Sequence, residues 1–387
     1  MSRERKMIGL VYLDNAATTR VSPEVVSGMI PYFEEVYGNA GSIHCMGRSA
    51  RKAIDIAREQ VSRPIGAKPE NIIFTSCGSE ANNLALFGVA EQLSKTGNTH
   101  IIISNIEHDS VLGCVHDLQY KYGFDVSIAR ADKNGIVSAS EIKSLMREYT
   151  GLVSVMAVNN ELGTMNPIRE IGELCRSREV MFHTDCVQAY CNIPIDVEKD
   201  CIDFLSVSGH KFHAPKGVGF LYARNKEFIN PILVGGGQEY GLRAGTENTP
   251  YIVGLGKAAE LASDKVRNRN TYSELIRAFV SEIGNRIDGV HINGTPYSGS
   301  KIVNIRFDGV DSETLLLFLD SQGVCVSAGS ACAAHSAKPS HVLKAIGLTD
   351  MEARSSIRIS ISDETTKDEL NFAAKEICES VNILRGK

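Results

Sequence analysis

The chain has 387 residues, of which 43% are hydrophobic and 22% are charged, and its formal net charge is -5. This composition is typical of a globular protein with a substantial core, and the charge gives no reason to expect binding to nucleic acid or to an anionic membrane. The amino-terminal stretch is charged and no apolar run reaches membrane-spanning length. We therefore expect a cytoplasmic protein.

The ten cysteines are scattered along the chain, without a CxxC pair and without zinc-type spacing to histidines. This pattern favours a reducing compartment with mostly inert thiols, and it predicts no metal site. Cys332 stands apart because its neighbours in "SAGSACAA" are all small, which fits either a small apolar filler or a nucleophile on a flexible loop. Cys325, in the apolar run "GVCVS", is predicted to lie in the core.

Short β-rich runs alternate with amphipathic helical stretches between about residues 50 and 230. This alternation predicts a mostly parallel α/β sheet, which we assign to a large domain over residues 17–255. Longer charged helices follow, and they predict a smaller α+β domain formed by residues 1–16 and 256–387. The strands of the sheet are predicted at 71–76, 100–104, 125–130, 152–158, 180–185, 204–208 and 217–223.

Polar residues follow several of these strands, where parallel sheets bind their ligands. "FTSCGSEANN" places Gly78 and Ser79 at a helix start, which suits a phosphate, although helix capping by Ser79 is an equally simple interpretation. Asp185 ends the strand "VMFHTD". Its carboxylate could pair with a ring nitrogen, bind a metal or cap the next helix.

Lys211, in "SVSGHKFHAPKGVG", follows a buried-looking strand. A lysine in that setting can form a Schiff base, whereas a solvated loop lysine is the alternative. Pyridoxal 5'-phosphate (PLP) needs a lysine for its aldehyde, hydroxyls at a helix start for its phosphate, and an acid for its pyridine nitrogen. Lys211, Ser79 with Ser208, and Asp185 meet these three requirements.

The sequence resembles the cysteine desulfurases of the iron–sulfur cluster assembly and nitrogen-fixation branch, in the class V PLP-dependent aminotransferase family. The resemblance covers nearly the whole chain and rests on "YLDNAATT", "YGNAGSIH", "EHDSVL", "VNNELGT", "HTDCVQA", "SGHKFHAPKG", "RAGTENT", "SAGSAC" and "SSIRIS", in family order. It implies PLP-dependent transferase fold type I and a homodimer. It also implies conversion of L-cysteine to L-alanine, with the sulfur passed as a cysteine persulfide to an acceptor protein such as a cluster scaffold or a tRNA thiolation protein.

The resemblance further implies roles for individual residues. Lys211 would form the Schiff base, Asp185 would contact the pyridine nitrogen, and Gln188 would contact the phenolic oxygen. His108 would stack on the ring as an acid–base group, and Cys332 would be the nucleophile. The phosphate would be held by Gly78, Ser79, Ser208 and His210, with Thr246 from the other subunit, and the substrate by Asn160 and Arg358.

Other activities fit parts of this pattern. A selenocysteine lyase would share the fold and most of the residues, and a class V aminotransferase would share the PLP set without needing a mobile cysteine. A sulfur-relay or scaffold protein would need neither Lys211 nor Asp185. His335, three residues beyond Cys332, either favours the thiolate of that cysteine or is a solvated loop residue.

Overall fold

Strands and helices alternate along most of the chain. The computed structural model describes residues 9–263, 269–295, 299–329 and 338–387. The strands in these ranges are β1 (Val11–Tyr12), β2 (Ile72–Thr75), β3 (His100–Ser104), β4 (Asp125–Ala129), β5 (Thr150–Ser154), β6 (Met181–Asp185), β7 (Phe204–Ser208), β8 (Gly219–Ala223), β9 (Val290–Asn293), β10 (Ile302–Phe307), β11 (Val324–Cys325) and β12 (Ser356–Ser360). The helices are α1 (Pro23–Met29), α2 (Pro31–Glu34), α3 (Cys45–Ser62), α4 (Gly78–Thr96), α5 (Asp109–Tyr122), α6 (Ala139–Leu145), α7 (Ile168–Ser177), α8 (Thr249–Ser263), α9 (Arg269–Arg286), α10 (Ser312–Ser321), α11 (His341–Ala345), α12 (Asp350–Arg354) and α13 (Lys367–Leu384).

Capping side chains fix where several helices begin. At the start of α13, the Thr366 hydroxyl accepts from the Glu369 backbone while the Glu369 carboxylate accepts from the Thr366 backbone. Thr349 and Glu352 form the same reciprocal pair at α12. Each pair satisfies two backbone N–H groups that the helix leaves without partners. None of the helices in the described ranges combines the length and the apolar character needed to cross a membrane.

The central sheet has seven strands in the order β2-β8-β7-β6-β5-β3-β4. Strand β8 runs antiparallel to both of its neighbours, and the remaining neighbours pair in parallel. The predicted mostly parallel α/β sheet is therefore confirmed. Each predicted run overlaps a strand, but β5 ends at Ser154 instead of residue 158. The chain beyond β5 still donates from Val155 and Ala157 to carbonyls of β6, without forming a regular ladder.

Both faces of the central sheet are buried. Successive residues of a strand point to opposite faces. Ile101 and Ile103 of β3 accordingly belong to the same core cluster as side chains of α4 and α5, while Ile102 belongs to the cluster that includes side chains of α3, α7 and α8. All three isoleucines are at most 2% exposed. Helices on both faces are what a parallel sheet requires.

A second core draws on both ends of the chain. It contains the antiparallel sheet β12-β10-β9 and the parallel pair β1-β11. Val11 and Leu13 pack here against side chains of α9, α10 and α13. Helix α8 packs in the first core through Leu255 and Ala258. The division into domains over 17–255 and over 1–16 with 256–387 stays a prediction.

Candidate active site

One cavity opens where the carboxyl ends of central strands meet the start of α4. Its empty space, including the part open to solvent, is about 790 Å³. Ten predicted site residues line it: Gly78, Ser79, His108, Asn160, Asp185, Gln188, Ser208, His210, Lys211 and Arg358. The other lining residues are Ala16, Ala17, Cys77, Asn82, Ser110, Met156, Val158 and Val187.

Lys211 reaches the cavity from a single turn, Gly209–Lys211, that follows β7. Its Nζ donates to the backbone oxygens of Ala16 and Ala17, at 2.7 Å each. The turn packs closely against the core, since a Cβ added to Gly209 would lie 2.7 Å from Cδ1 of Leu255. Every residue of β7 is buried. The amine is thus presented from a fixed backbone rather than from a solvated loop.

Asp185 is the last residue of β6 and is 5% exposed. Its Oδ1 accepts from the Val187 backbone at 2.9 Å, and its Oδ2 accepts from Nδ2 of Asn82 at 2.8 Å. Gln188 donates its side-chain amide to the backbone oxygen of Ala16 at 2.9 Å. Asn82 was not predicted as a site residue. Its one signal in the sequence is its position about a turn into the helix that starts at the cavity.

Helix α4 begins at the cavity with Gly78. Its cap is Cys77, whose Sγ accepts from the backbone of Glu80 at 3.5 Å. The hydroxyl of Ser79 is therefore not the cap, and the simple capping interpretation is wrong. A Cβ on Gly78 would lie 3.3 Å from Cβ of Ser208, so the helix start lies directly against the end of β7. Free backbone N–H groups and the helix dipole favour an anion at this position.

His108 and His210 both line the cavity. His108 caps α5, and its Nδ1 accepts from the Ser110 backbone at 3.1 Å and lies 2.8 Å from the Ser110 hydroxyl oxygen. Burial lowers the pKa of His210 to about 4, and the nearby cations Lys211 and Lys216 lower it further in the same direction. His210 is consequently a neutral imidazole near pH 7, which carries one donor and one acceptor nitrogen.

Arg358 reaches the cavity from β12 in the second core. It is 1% exposed, and its Nη2 pairs with Asp14 at 2.8 Å. Its Nη1 donates to the backbone oxygen of Asn160 at 2.9 Å. The backbone of Arg358 also exchanges hydrogen bonds with Ser327. Asp14 was not predicted, although it lies in the quoted motif "YLDNAATT".

Glu107, next to His108, is fully buried and was not predicted either. Its Oε1 accepts from the Ser104 hydroxyl at 2.5 Å and from the Met156 backbone at 2.8 Å. Burial raises the pKa of Glu107 to about 8, and the Asp185 carboxylate adds to that rise. This carboxyl group is therefore largely protonated near pH 7, which avoids a second buried negative charge behind the cavity.

Two predicted residues have other positions than expected, and two lie outside the part of the chain that the structure describes. Thr246 is exposed on this chain and does not line the cavity. Cys332 and His335 lie outside the described residues. Cys325 is only partly buried, so the expectation of a core position was wrong, because β11 is a two-residue strand beside β1.

The model of the family described as "Aminotransferase class-V" matches residues 11–372. The chain belongs to this family. It is 45% identical to "Cysteine desulfurase IscS" of Dictyoglomus turgidum over 380 residues, which covers 97% of this chain and 95% of that protein. A solved "NifS-like protein" has a TM-score of 0.90 at 37% identity, covering 97% of this chain and 100% of that one. The structure "SspA in complex with cysteine" has a TM-score of 0.80 at 38% identity, covering 90% and 98%.

Class-V aminotransferases use PLP, and the cavity has the donors that this cofactor requires. Lys211 has an amine that can condense with an aldehyde, and Asp185 has a carboxylate that can accept from a pyridine N–H. The start of α4 and the hydroxyl of Ser208 have donors that suit a phosphate. The buried Nε of Arg358 has no hydrogen-bond partner within the described part of the chain, which leaves a donor for a further anionic group. The cavity residues therefore fit PLP together with a carboxylate-bearing substrate.

Proposed function

We propose that this chain is a PLP-dependent cysteine desulfurase. The observation that carries this proposal is that Lys211, Asp185 and Arg358, which come from two different cores, line one cavity. The similar proteins named cysteine desulfurase and the neighbour in complex with cysteine support L-cysteine as the substrate. In the net reaction, L-cysteine and the Cys332 thiol give L-alanine and a persulfide on Cys332.

The cavity residues have separate tasks in holding the cofactor. When bound, PLP supplies an aldehyde that condenses with amines and a ring that withdraws electrons from the substrate Cα. Lys211 would supply the amine for the aldehyde, Asp185 would accept from the pyridine N–H, and Gln188 would contact the phenolic oxygen. The phosphate would be held by Gly78, Ser79, Ser208 and His210, with Thr246 of a second copy.

Arg358 and Asn160 bind the substrate. A guanidinium group has five N–H donors, and Asp14 and the Asn160 carbonyl each accept one from Arg358. The remaining donors include the buried Nε, and they can grip the substrate carboxylate in a bidentate pair. Asp14 keeps this buried cation paired when the cavity is empty.

Lys211 and His108 move protons in the proposed reaction. The Nζ of Lys211, once released, takes the proton from the substrate Cα. His108 gives or takes a further proton, and general acid–base help of this kind is worth about 10²–10⁴-fold in rate. Because Glu107 is largely protonated, it adds no second negative charge near Asp185.

Cys332 accepts the sulfur. Its Sγ, as a thiolate, attacks the substrate sulfur, the Cβ–S bond breaks, and the electron pair left on carbon takes up a proton. Ser327 is hydrogen-bonded to Arg358 and lies five residues before Cys332. At about 3.5 Å per residue, the chain can therefore bring Cys332 to the substrate-binding arginine.

The test is incubation of the holoenzyme with L-cysteine, followed by quantification of alanine and mass spectrometry of the peptide that carries Cys332. Wild type should form alanine and gain one sulfur on Cys332. Cys332→Ser should lose both, because a hydroxyl is a much weaker nucleophile than a thiolate. Cys45→Ser is the matched control, since Cys45 is an exposed thiol.

Three other results would contradict the proposal. Sustained alanine formation from L-cysteine by Cys332→Ser would remove that residue from the reaction. Alanine formed from selenocysteine but not from cysteine by the wild type would indicate a selenocysteine lyase. Turnover that depends on an added keto acid, with no persulfide, would indicate an aminotransferase.

Exposed apolar side chains between residues 30 and 43 support a homodimer. Arg51 links this stretch to the loop that carries Thr246, because its Nε donates to the backbone oxygen of Ala40 at 3.3 Å and its Nη2 pairs with Glu247 at 2.6 Å. A second copy that covers these side chains would bring Thr246 towards the partner's cavity. The large apolar side chains that stay exposed here are Ile30, Phe33, Tyr37 and Ile43, from 49% to 91% exposed.

The persulfide on Cys332 carries a sulfur that a thiol of another protein can attack, so the chain requires a sulfur-acceptor protein.

We also propose a cytoplasmic location. The nine described cysteines are all free thiols, as expected in a reducing compartment.

A further inference from the structure

A continuous chain of hydrogen bonds joins Asp185 to His108 across the cavity wall. Nδ2 of Asn82 lies 2.8 Å from Oδ2 of Asp185 and 2.9 Å from the hydroxyl oxygen of Ser110. That oxygen lies 2.8 Å from Nδ1 of His108. All four residues line the same cavity.

Counting donors assigns a direction to each of these bonds. The Asp185 carboxylate can only accept, so it fixes the Asn82 amide with Nδ2 towards it. The second hydrogen on Nδ2 then points to Oγ of Ser110, and that hydroxyl has one hydrogen left to give. It donates to Nδ1 of His108, which also accepts from the Ser110 backbone N–H at 3.1 Å.

This arrangement leaves Nδ1 of His108 as an acceptor, because two donors already point at it. In a neutral imidazole the proton must then reside on Nε2. His108 thus carries a hydrogen at Nε2 that it can donate. Asp185, which would accept from the pyridine N–H, favours this tautomer through the side chains of Asn82 and Ser110.

The two ends of the Asn82 side-chain amide, Nδ2 and Oδ1, differ in their hydrogen-bond partners. Asn82 is 1% exposed, and its Oδ1 has no hydrogen-bond partner among the described residues. A buried acceptor without a partner destabilises the fold, and an apolar side chain of similar size would avoid that cost. The Nδ2 end of the Asn82 amide makes both of its hydrogen bonds to described residues, to Asp185 and to Ser110.

We propose that Asn82 and Ser110 are positioning residues that hold His108 as the Nε2–H tautomer and couple it to Asp185. This inference rests on the proposed function for its catalytic meaning, since the tautomer makes His108 a ready proton donor for the desulfurase reaction. Neither residue needs to touch the reacting atoms. They act through Nδ1 of the His108 ring.

The tautomer can be read directly by ¹⁵N NMR of the holoenzyme labelled with ¹⁵N-histidine, with His108→Gln used to assign the signals. We expect the wild type to show an unprotonated Nδ1 and a protonated Nε2. Loss of one neutral hydrogen bond changes an equilibrium ratio by about fivefold. Asn82→Leu and Ser110→Ala should therefore each raise the Nδ1–H population by about that factor.

Ser110→Thr keeps the hydroxyl and should keep the wild-type shifts, which separates this role from a merely structural one. Ser144→Ala removes an exposed serine hydroxyl on α6 and should change nothing. The kcat for L-cysteine should fall in Asn82→Leu and Ser110→Ala in proportion to the loss of the Nε2–H population, by at most about fivefold, with KM little changed.

An Nδ1–H signal in the wild type, or unchanged shifts in both disruptive variants, would overturn the inference. These outcomes do not depend on desulfurase activity. If the shifts respond as expected while no alanine forms from L-cysteine, the proposed function fails and the hydrogen-bond chain stands. If alanine forms and the shifts do not respond, the positioning role fails alone.

Discussion

Lys211 and Lys216 are five residues apart, but their surroundings differ completely. Lys211 donates to two backbone carbonyls inside the cavity, whereas Lys216 is exposed. The two carbonyl oxygens orient the Lys211 amine towards the cavity. This difference separates the two lysines more sharply than their closeness in the sequence suggests.

Replacing Lys211 by Ala should abolish the absorbance of the lysine-bound cofactor and reduce turnover by at least about 10²–10⁴-fold, since one proton-transfer group is lost. Borohydride reduction of wild-type holoenzyme followed by peptide mapping should place the pyridoxyl group on Lys211. The control, Lys216→Ala, should behave as wild type. A pyridoxyl group found on Lys216 would refute the assignment.

His183 makes stability depend on pH. Burial lowers the pKa of His183 to about 4, partly offset by Asp185, and its two ring nitrogens contact the hydroxyls of Ser154 and Ser206. An unfolded histidine binds a proton near pH 6.5, so the unfolded state gains protons first as the pH falls. Stability should be complete above about pH 6.5 and should fall by roughly 3 kcal/mol towards pH 4.

His183→Gln should flatten this pH dependence, measured as urea unfolding midpoints between pH 7.5 and 5. Part of the slope should remain, because the lowered pKa of His210 acts in the same direction. His116→Gln serves as the control, since His116 is exposed. An unchanged slope in His183→Gln would show that the buried ring is not responsible.

At the scale of elements, the register of the sheet places the site. Asp185 of β6 pairs with Ser206 of β7, so the two strands end at the same edge and Ser208 lies two residues further along it. Helix α4 begins against this edge because glycine allows a close approach. Two glycines of α4 make comparably close contacts, but only Gly78 lines the cavity.

Gly78→Val and Gly88→Val therefore form a matched pair. A Cβ at Gly78 would lie 2.7 Å from Cγ2 of Val187, and one at Gly88 would lie 2.7 Å from Cγ2 of Ile229. Both variants should lose about 1–3 kcal/mol of stability through overpacking. Only Gly78→Val should also weaken PLP binding, by about tenfold or more, as measured by cofactor titration. Equal PLP affinity in the two variants would contradict a role for the helix start in binding.

At the scale of the whole molecule, four large apolar side chains along residues 30–43 are exposed. In the proposed homodimer a second copy would cover them. The same partner would receive Thr246, which is exposed here, at its phosphate site, as the family resemblance implies.

We expect light scattering to show a dimer for the wild type and a shift towards monomer for Ile43→Lys, because a charge would be buried in the interface. Leu317→Lys is the control, since Leu317 is an exposed leucine of α10, 73% exposed. Thr246→Ala should weaken PLP retention in the dimer. A monomeric wild type, or an Ile43→Lys variant that remains a full dimer, would argue against this interface.

The sequence by itself determined the strands of the central sheet, and together with the family resemblance it predicted ten of the residues that line the cavity. Short apolar runs and the polar residues that end them are local patterns, and parallel strands bring such ends to one edge. Lys211, Asp185 and Ser79 could therefore be identified before the fold was known. Cys332 and Thr246 remain predictions from the sequence.

Only the tertiary structure showed which side chains hold the site residues in place. Asn82 contacts Asp185 across 103 positions of the chain and Ser110 across 28, and Asp14 contacts Arg358 across 344. No local pattern records such pairs, because a hydrogen bond depends on separations of about 3 Å and on donor direction. Those quantities are set when the helices and the two cores pack together, and that packing decided how Asp185, His108 and Arg358 are oriented.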